Sequence, residues 1–212
     1  MDAIIFDLDG VLINSEKYWD KISEKVLNKA IGPRKISSKE IRGLGVMDQY
    51  DFLSEDFDMR ISKKEFFKSY NEEARRIYEK AEPVKGLNKI ISFLEDKNVK
   101  TAIASSSCKD WVNVAVRRLE LGSNLDEITS VENIDGKGKP FPEIYLHTSN
   151  LLGVEPQNCI VVEDSEVGVK AAKNAGMCCI GSRFFDHDQN LTKADEIVDN
   201  SEELFSKLRE KL

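Results

Sequence analysis

The feature that most narrows what this chain can fold into is a series of short apolar runs, each followed by a segment long enough for a helix. Residues 3–8 (AIIFDL), 99–104 (VKTAIA) and 158–162 (NCIVV) are the strongest of them. Their length and their β-branched, apolar character are those of buried strands. A short strand is expected near 127–131, another at 177–181 and a weaker one at 195–198. Helical patterns fall over 87–97, 109–120, from Pro142 onward, 165–175 and from Ser201 to the end. Proline is favoured in the first turn of a helix, which supports the start at Pro142. Strands alternating with helices of ten or more residues imply an α/β fold, a doubly wound parallel sheet with helices on both faces. Ligands of such sheets sit at the carboxyl ends of the strands, near the switch in strand order.

One stretch breaks the alternation. From Ser15 to Lys80 no strand pattern occurs. Trp19, Ile22, Val26 and Leu27 stand at helical spacing, and two Ser-x-x-Glu capping boxes follow, Ser37…Glu40 and Ser62…Glu65. The second opens a helix carrying Phe66, Phe67, Tyr70, Ala74, Ile77 and Tyr78. The segment reads as a helical insertion ending at Pro83 and Gly86. With 212 residues, 41% hydrophobic and 33% charged, the chain suits one generous domain or a core with an insertion.

The same composition excludes several function classes. A formal net charge of -7 argues against electrostatic binding of nucleic acid. No apolar run approaches the roughly 20 residues that span a bilayer, and the first residues lack a secretory pattern. Cys108, Cys159, Cys178 and Cys179 have neither zinc-ligand spacing nor a CxxC pair, which suits buried thiols in a reducing compartment. A cytoplasmic location is the expectation.

The strand ends carry the chemistry. The first run breaks into Asp7-Leu8-Asp9-Gly10-Val11, two carboxylates that repel unless a cation or a proton relieves them. A calcium loop would need Asp or Asn at its fifth position and Glu at its twelfth; Val11 and Tyr18 stand there instead. The second strand ends in Ser105-Ser106-Ser107, readable as a helix cap or as a phosphate cradle. Lys139 lies in Gly136-Lys137-Gly138-Lys139-Pro140, which matches no Walker loop. Glu163, Asp164 and Ser165 follow the 158–162 run. Each signal has a bland reading as a turn, a cap or a solvated side chain. Together they make one chemical unit: carboxylates for Mg²⁺, a lysine and a serine for phosphate oxygens, and one carboxylate left over as nucleophile.

These residues resemble the motifs of the haloacid dehalogenase superfamily. Asp7-Leu8-Asp9-Gly10-Val11 is similar to its first motif, Ser105 to its second, Lys139-Pro140 to its third and Glu163-Asp164 to its fourth. The runs from Gly138 to Tyr145 and from Glu163 to Gly176 resemble the branch of sugar-phosphate phosphatases and β-phosphoglucomutases. That resemblance implies a Rossmann-like core of residues 1–14 and 82–212 and an α-helical cap domain of residues 15–81. It implies that Asp7 attacks phosphorus, that Asp9 serves as general acid and then base, and that Ser105, Ser106 and Lys139 hold the phosphoryl group. Mg²⁺ would be bound by Asp7, Asp164, Glu163 and the main-chain carbonyl of Asp9. Trp19, Arg42, Met47 and Tyr50 are candidate substrate contacts from the cap. The implied partner is a small phosphorylated metabolite; neither nucleic acid nor membrane is expected, and a monomer is the expectation, with an oligomer left open.

Asp9 separates the subgroups, because dehalogenases and phosphonatases of the superfamily lack an acid there. A phosphosugar mutase is the first alternative. Its pattern has a histidine where this chain has Trp19 and an arginine after a cap glycine, whereas Arg42 precedes Gly43. Both departures favour the phosphatase. A non-catalytic phospho-ligand sensor would not need every catalytic position filled, and a receiver domain would be shorter with its phospho-acceptor on the third strand. His147 and the stretch Asp186-His187-Asp188 read as surface residues.

Overall fold

The computed structural model describes residues 1–33, 41 and 44–212. Six parallel strands form one sheet: β1 (Ala3–Phe6), β2 (Lys100–Ser105), β3 (Glu127–Ser130), β4 (Cys159–Glu163), β5 (Cys178–Ser182) and β6 (Glu196–Val198). Their order is β3-β2-β1-β4-β5-β6, which puts β1 at the centre with Ile5 flanked by Ala102 and Val161. The chain builds outward from β1 to β3, then crosses back to lay β4 on the other side of β1. The switch in strand order therefore falls between β1 and β4, where Asp7 and Glu163 stand.

Period-two alternation sorts the strand side chains onto two faces. Ile4, Phe6, Ile103, Ile160, Val162 and Ile180 pack with residues of α4 (Leu87–Asp96), α5 (Lys109–Leu119) and α8 (Ser201–Lys211). Ala3, Ile5, Ala102, Ala104, Val161 and Cys179 pack with α6 (Glu143–Leu152) and α7 (Glu166–Asn174). Burial on both faces explains why the central strands read as continuous apolar runs. The four cysteines are free thiols, Cys108, Cys159 and Cys179 buried and Cys178 half-buried. Among the described residues no helix is long and apolar enough to cross a membrane.

The strand after Met1 is shorter than its apolar run. It stops at Phe6 because the chain turns at once: Gly10 adopts a φ of 76°, and Asp9 bridges to Ile13. Pro142 likewise stands at the cap of α6 rather than inside it.

The helices α1 (Glu16–Ile31), α2 (Val46–Asp56) and α3 (Lys63–Lys80) are inserted between β1 and α4. The chain leaves at residues 12–14 and returns at 82–84. The two crossings are paired, with Asn14 N–H donating to the Glu82 carbonyl at 2.8 Å and Val84 N–H to the Leu12 carbonyl at 2.9 Å. Leu53, Phe66, Tyr70, Ala74 and Ile77 are buried within the insertion. The capping box at the start of α3 is complete: Glu65 N–H donates to Ser62 Oγ, and Ser62 N–H donates to Glu65 Oε2 at 2.9 Å. The other box, Ser37…Glu40, lies outside the described residues. Because the Ser62 hydroxyl satisfies a backbone donor that α3 would otherwise leave open, Ser62→Ala should destabilise the protein by about 1 kcal/mol in urea unfolding. An unchanged midpoint would show that the box contributes nothing.

Candidate active site

The carboxyl ends of β1, β2 and β4 and the loop before α6 bring the sequence candidates to one place. Asp7 follows β1 directly, and its N–H still bonds to the Val162 carbonyl at 2.9 Å. Lys139 Nζ donates to Asp7 Oδ1 at 2.5 Å, to Glu163 Oε1, and to the Ala104 carbonyl at 3.4 Å. One ammonium thus joins β1, the end of β2, β4 and the loop before α6. It is 3% exposed, and Glu163 is fully buried.

Glu163 is saturated with donors. Oε1 accepts from Lys139 and from the Tyr145 hydroxyl at 2.7 Å. Oε2 accepts from Asp164 N–H at 3.0 Å and from Ser165 N–H and Oγ, both at 3.1 Å. A carboxylate offers about four lone-pair sites, so these donors occupy it. Ser165 also accepts from Gly168 N–H and so caps α7. Two glycines make room for this arrangement. A Cβ at Gly168 would collide with the Glu163 carboxylate, and one at Gly10 with that of Asp164.

Asp7, Glu163 and Asp164 have carboxylate oxygens all within 4.8 Å of one another, and all three are buried. With all three ionised, they would leave two negative charges in excess over the Lys139 ammonium. All-oxygen donors with that excess fit a hard divalent cation such as Mg²⁺. The electrostatics show the same strain. Burial raises the Asp7 carboxyl well above its usual range; Lys139 opposes this, while Glu163 and Asp9 add to it. Burial works against the Lys139 ammonium too, yet Asp7 and Glu163 together hold it above the ordinary lysine range.

Asp9 points elsewhere. Its Oδ1 accepts from Ser15 Oγ at 2.6 Å and from Trp19 Nε1 at 3.2 Å. Its Oδ2 lies 3.0 Å from both the Tyr78 hydroxyl and Ser107 Oγ. Trp19 is packed among Tyr70, Tyr78 and Trp111, at centroid distances of 6.0, 6.0 and 5.5 Å. Ser105, the last residue of β2, is buried and accepts Ser107 N–H at 3.1 Å. It does not cap α5, whose N-cap is Cys108. Ser106 is half-buried beside it, and the start of α2 abuts this loop: a Cβ at Gly45 would lie 3.2 Å from the Ser106 carbonyl oxygen.

The remaining insertion candidates separate. Trp19 reaches the site, through Asp9. Met47 is 42% exposed in the first turn of α2. Tyr50 donates to the Ile61 carbonyl at 3.1 Å and packs on Phe66, which makes it a brace within the insertion. Arg42 lies outside the described residues. Sequence reasoning missed Tyr78, Tyr145 and Trp111 as site neighbours, and it read Ser107 only as part of a helix cap or phosphate cradle. Their spacing marked only helical faces and a loop, and the polar tips of the two tyrosines were the one available hint.

A family model described as haloacid dehalogenase-like hydrolase matches residues 4–182. The chain belongs to that family. It is 32% identical over 179 residues to a phosphorylated carbohydrates phosphatase of Thermotoga maritima, covering 84% of this chain and 82% of the relative. It is 27% identical to a beta-phosphoglucomutase of Bacillus subtilis, covering 96% and 92%. The crystal structure of beta-phosphoglucomutase from Clostridium difficile superposes with a TM-score of 0.81 at 26% identity, covering 100% of this chain and 96% of that one.

The raised Asp7 carboxyl has a consequence for stability. The folded state binds a proton there that the unfolded chain has released, so this group's contribution falls as pH climbs above the ordinary Asp value near 3.8. Asp7→Asn removes this titration but also a partner of Lys139, so its stability relative to the parent, metal-free, should rise with pH by at most about 1.4 kcal/mol per unit. Urea unfolding in EDTA between pH 5 and 8 checks this; a relative stability that falls with pH would contradict the assigned direction.

Proposed function

We propose that this hydrolase is a Mg²⁺-dependent phosphatase of small phosphate monoesters, phosphorylated sugars foremost, that works through an aspartyl-phosphate on Asp7. The observation that carries the reading is the division of labour between two carboxylates two residues apart. Asp7 sits in the acidic cluster against Lys139, whereas Asp9 is held outside it by neutral donors. Two carboxylates in contrasting surroundings suit a nucleophile and an acid–base pair.

In the first step an Asp7 oxygen forms a bond to phosphorus as the ester P–O bond breaks, and Asp9 gives its proton to the departing alkoxide. In the second, Asp9 takes a proton from water, whose oxygen bonds to phosphorus while the acyl-phosphate P–O bond breaks. Asp7 is regenerated and inorganic phosphate leaves. Lys139 and the Ser105 hydroxyl hold the phosphoryl oxygens throughout, and Lys139 steadies the Asp7 carboxylate between steps. The Asp7 and Asp164 carboxylates and the Asp9 carbonyl are the proposed ligands of the metal, with Glu163 adding charge and anchoring Lys139. A divalent cation bound there would neutralise charge on the phosphoryl group as it transfers.

The insertion, residues 15–81, is proposed as a cap over this site, hinged where residues 12–14 and 82–84 pair. Closing it would exclude water and keep Trp19 and Ser15 on Asp9, as they stand in this structure. The 32% identity to a phosphatase of phosphorylated carbohydrates supports the sugar-phosphate assignment. Trp19 weighs against a mutase, since an indole N–H only donates and cannot relay a proton as histidine does.

The test is phosphate release from a panel of sugar phosphates with Mg²⁺ or EDTA, alongside Asp7→Asn. Release should require the metal, return when Mg²⁺ is restored, and fall on the order of a thousandfold or more in Asp7→Asn. More than half the activity remaining in that variant would overturn the nucleophile. Isomerisation that needs a bisphosphate primer, without net release, would establish the mutase instead.

A further inference from the structure

The Asp9 carboxylate has two unlike sides. On Oδ1 the partners are Ser15 and Trp19, and the Trp19 indole N–H has no acceptor to offer. That oxygen stays an acceptor in every state in which Trp19 keeps its bond. On Oδ2 the partners are two hydroxyls, Tyr78 and Ser107, 2.7 Å from each other and each 3.0 Å from the oxygen. Three contacts close this triangle and hold Oδ2 at two points, one from the insertion and one from the loop after β2.

The triangle also faces the right way. Ser107 N–H bonds to Ser105 Oγ, so Oδ2 lies on the side of the loop proposed to hold the phosphoryl group. Tyr78 completes it from the insertion. It stands in the last turn of α3, only 1% exposed, with its ring set edge-on to Trp19 and tilted against Trp111. The phenol therefore has little freedom to turn away.

We propose that Tyr78 is a positioning residue for Asp9: with Ser107, its hydroxyl fixes the orientation in which the Asp9 carboxyl meets the leaving group. The proposal rests on the phosphatase reading and adds to it a residue from the insertion that acts on the acid rather than on the substrate. It ties leaving-group protonation to the packing of α3 against the core, because Tyr78 meets Ser107 only when the two are in contact.

The test compares kcat/KM for a sugar phosphate, whose alkoxide needs a proton to depart, with that for p-nitrophenyl phosphate, whose leaving group is weakly basic. This constant reports the steps up to leaving-group departure and is blind to later hydrolysis of the intermediate. Tyr78→Phe keeps the ring and removes the hydroxyl, and Ser107→Ala removes the other corner from a half-buried loop position. Each should lower the sugar-phosphate constant about tenfold, part of the 10²–10⁴ available to a general acid, and lower the aryl constant markedly less. Asp9→Asn should show the same selectivity more strongly. Equal losses on both esters in Tyr78→Phe and Ser107→Ala, or no loss on either, overturn the proposal while Asp9→Asn still discriminates. A wild-type protein that releases phosphate from neither ester overturns the phosphatase reading, and this inference with it.

Discussion

Lys139 lies buried between the Asp7 and Glu163 carboxylates, and the arrangement of the site follows from how that ammonium is held. A buried charge is tolerated only when paired and hydrogen-bonded. Lys139 meets this condition with two carboxylates and the Ala104 carbonyl, contributed by three neighbouring strands. Glu163 in turn needs its own donors, which Tyr145 and the first turn before α7 provide. Gly168 must lack a side chain for that carboxylate to fit. The ion pair thus reaches from β1 through β4 into α6 and α7 and fixes where the Asp7 oxygens point.

The second constraint is the isolation of Asp9 from this cluster. Only Leu8 separates it from Asp7, yet the turn at Gly10 sends it toward hydroxyls and an indole rather than toward the ammonium. Sequence neighbours consequently meet opposite surroundings, one ionic and one made of neutral donors. The insertion supplies most of the second environment through Ser15, Trp19 and Tyr78, which all lie near its paired crossings. The acid–base role proposed for Asp9 and the seating of the insertion are joined by geometry.

Much of this was legible in the chain. The strands at 3–6, 100–105, 159–163 and 178–182 were marked by apolar runs because they are buried on both faces. The helices from Leu87 to Asp96 and from Lys109 to Leu119 showed their apolar periodicity. Asp7, Asp9, Ser105, Lys139, Glu163 and Asp164 stood out because each polar residue follows an apolar strand or a glycine-rich turn. The cage around Asp9 was not legible. Tyr78 and Trp111 stand at helical spacing like any core aromatic, and only the approach of α3 to α5 gives the Tyr78 hydroxyl its partners. Nor could spacing reveal that Glu163 would be saturated by Lys139, Tyr145 and its own loop, or that Tyr50 would brace α2 against Ile61.

The proposed mechanism depends most on Asp7 as the residue whose carboxylate receives phosphorus. The direct measurement is rapid quenching of the protein with a sugar phosphate and Mg²⁺, reduction by borohydride, and peptide mass spectrometry of the N-terminal segment. An acyl-phosphate on Asp7 would be reduced to homoserine at position 7, in amounts that rise and decay with turnover. Steady phosphate release with residue 7 unmodified, or with the label on another carboxylate, would contradict the account.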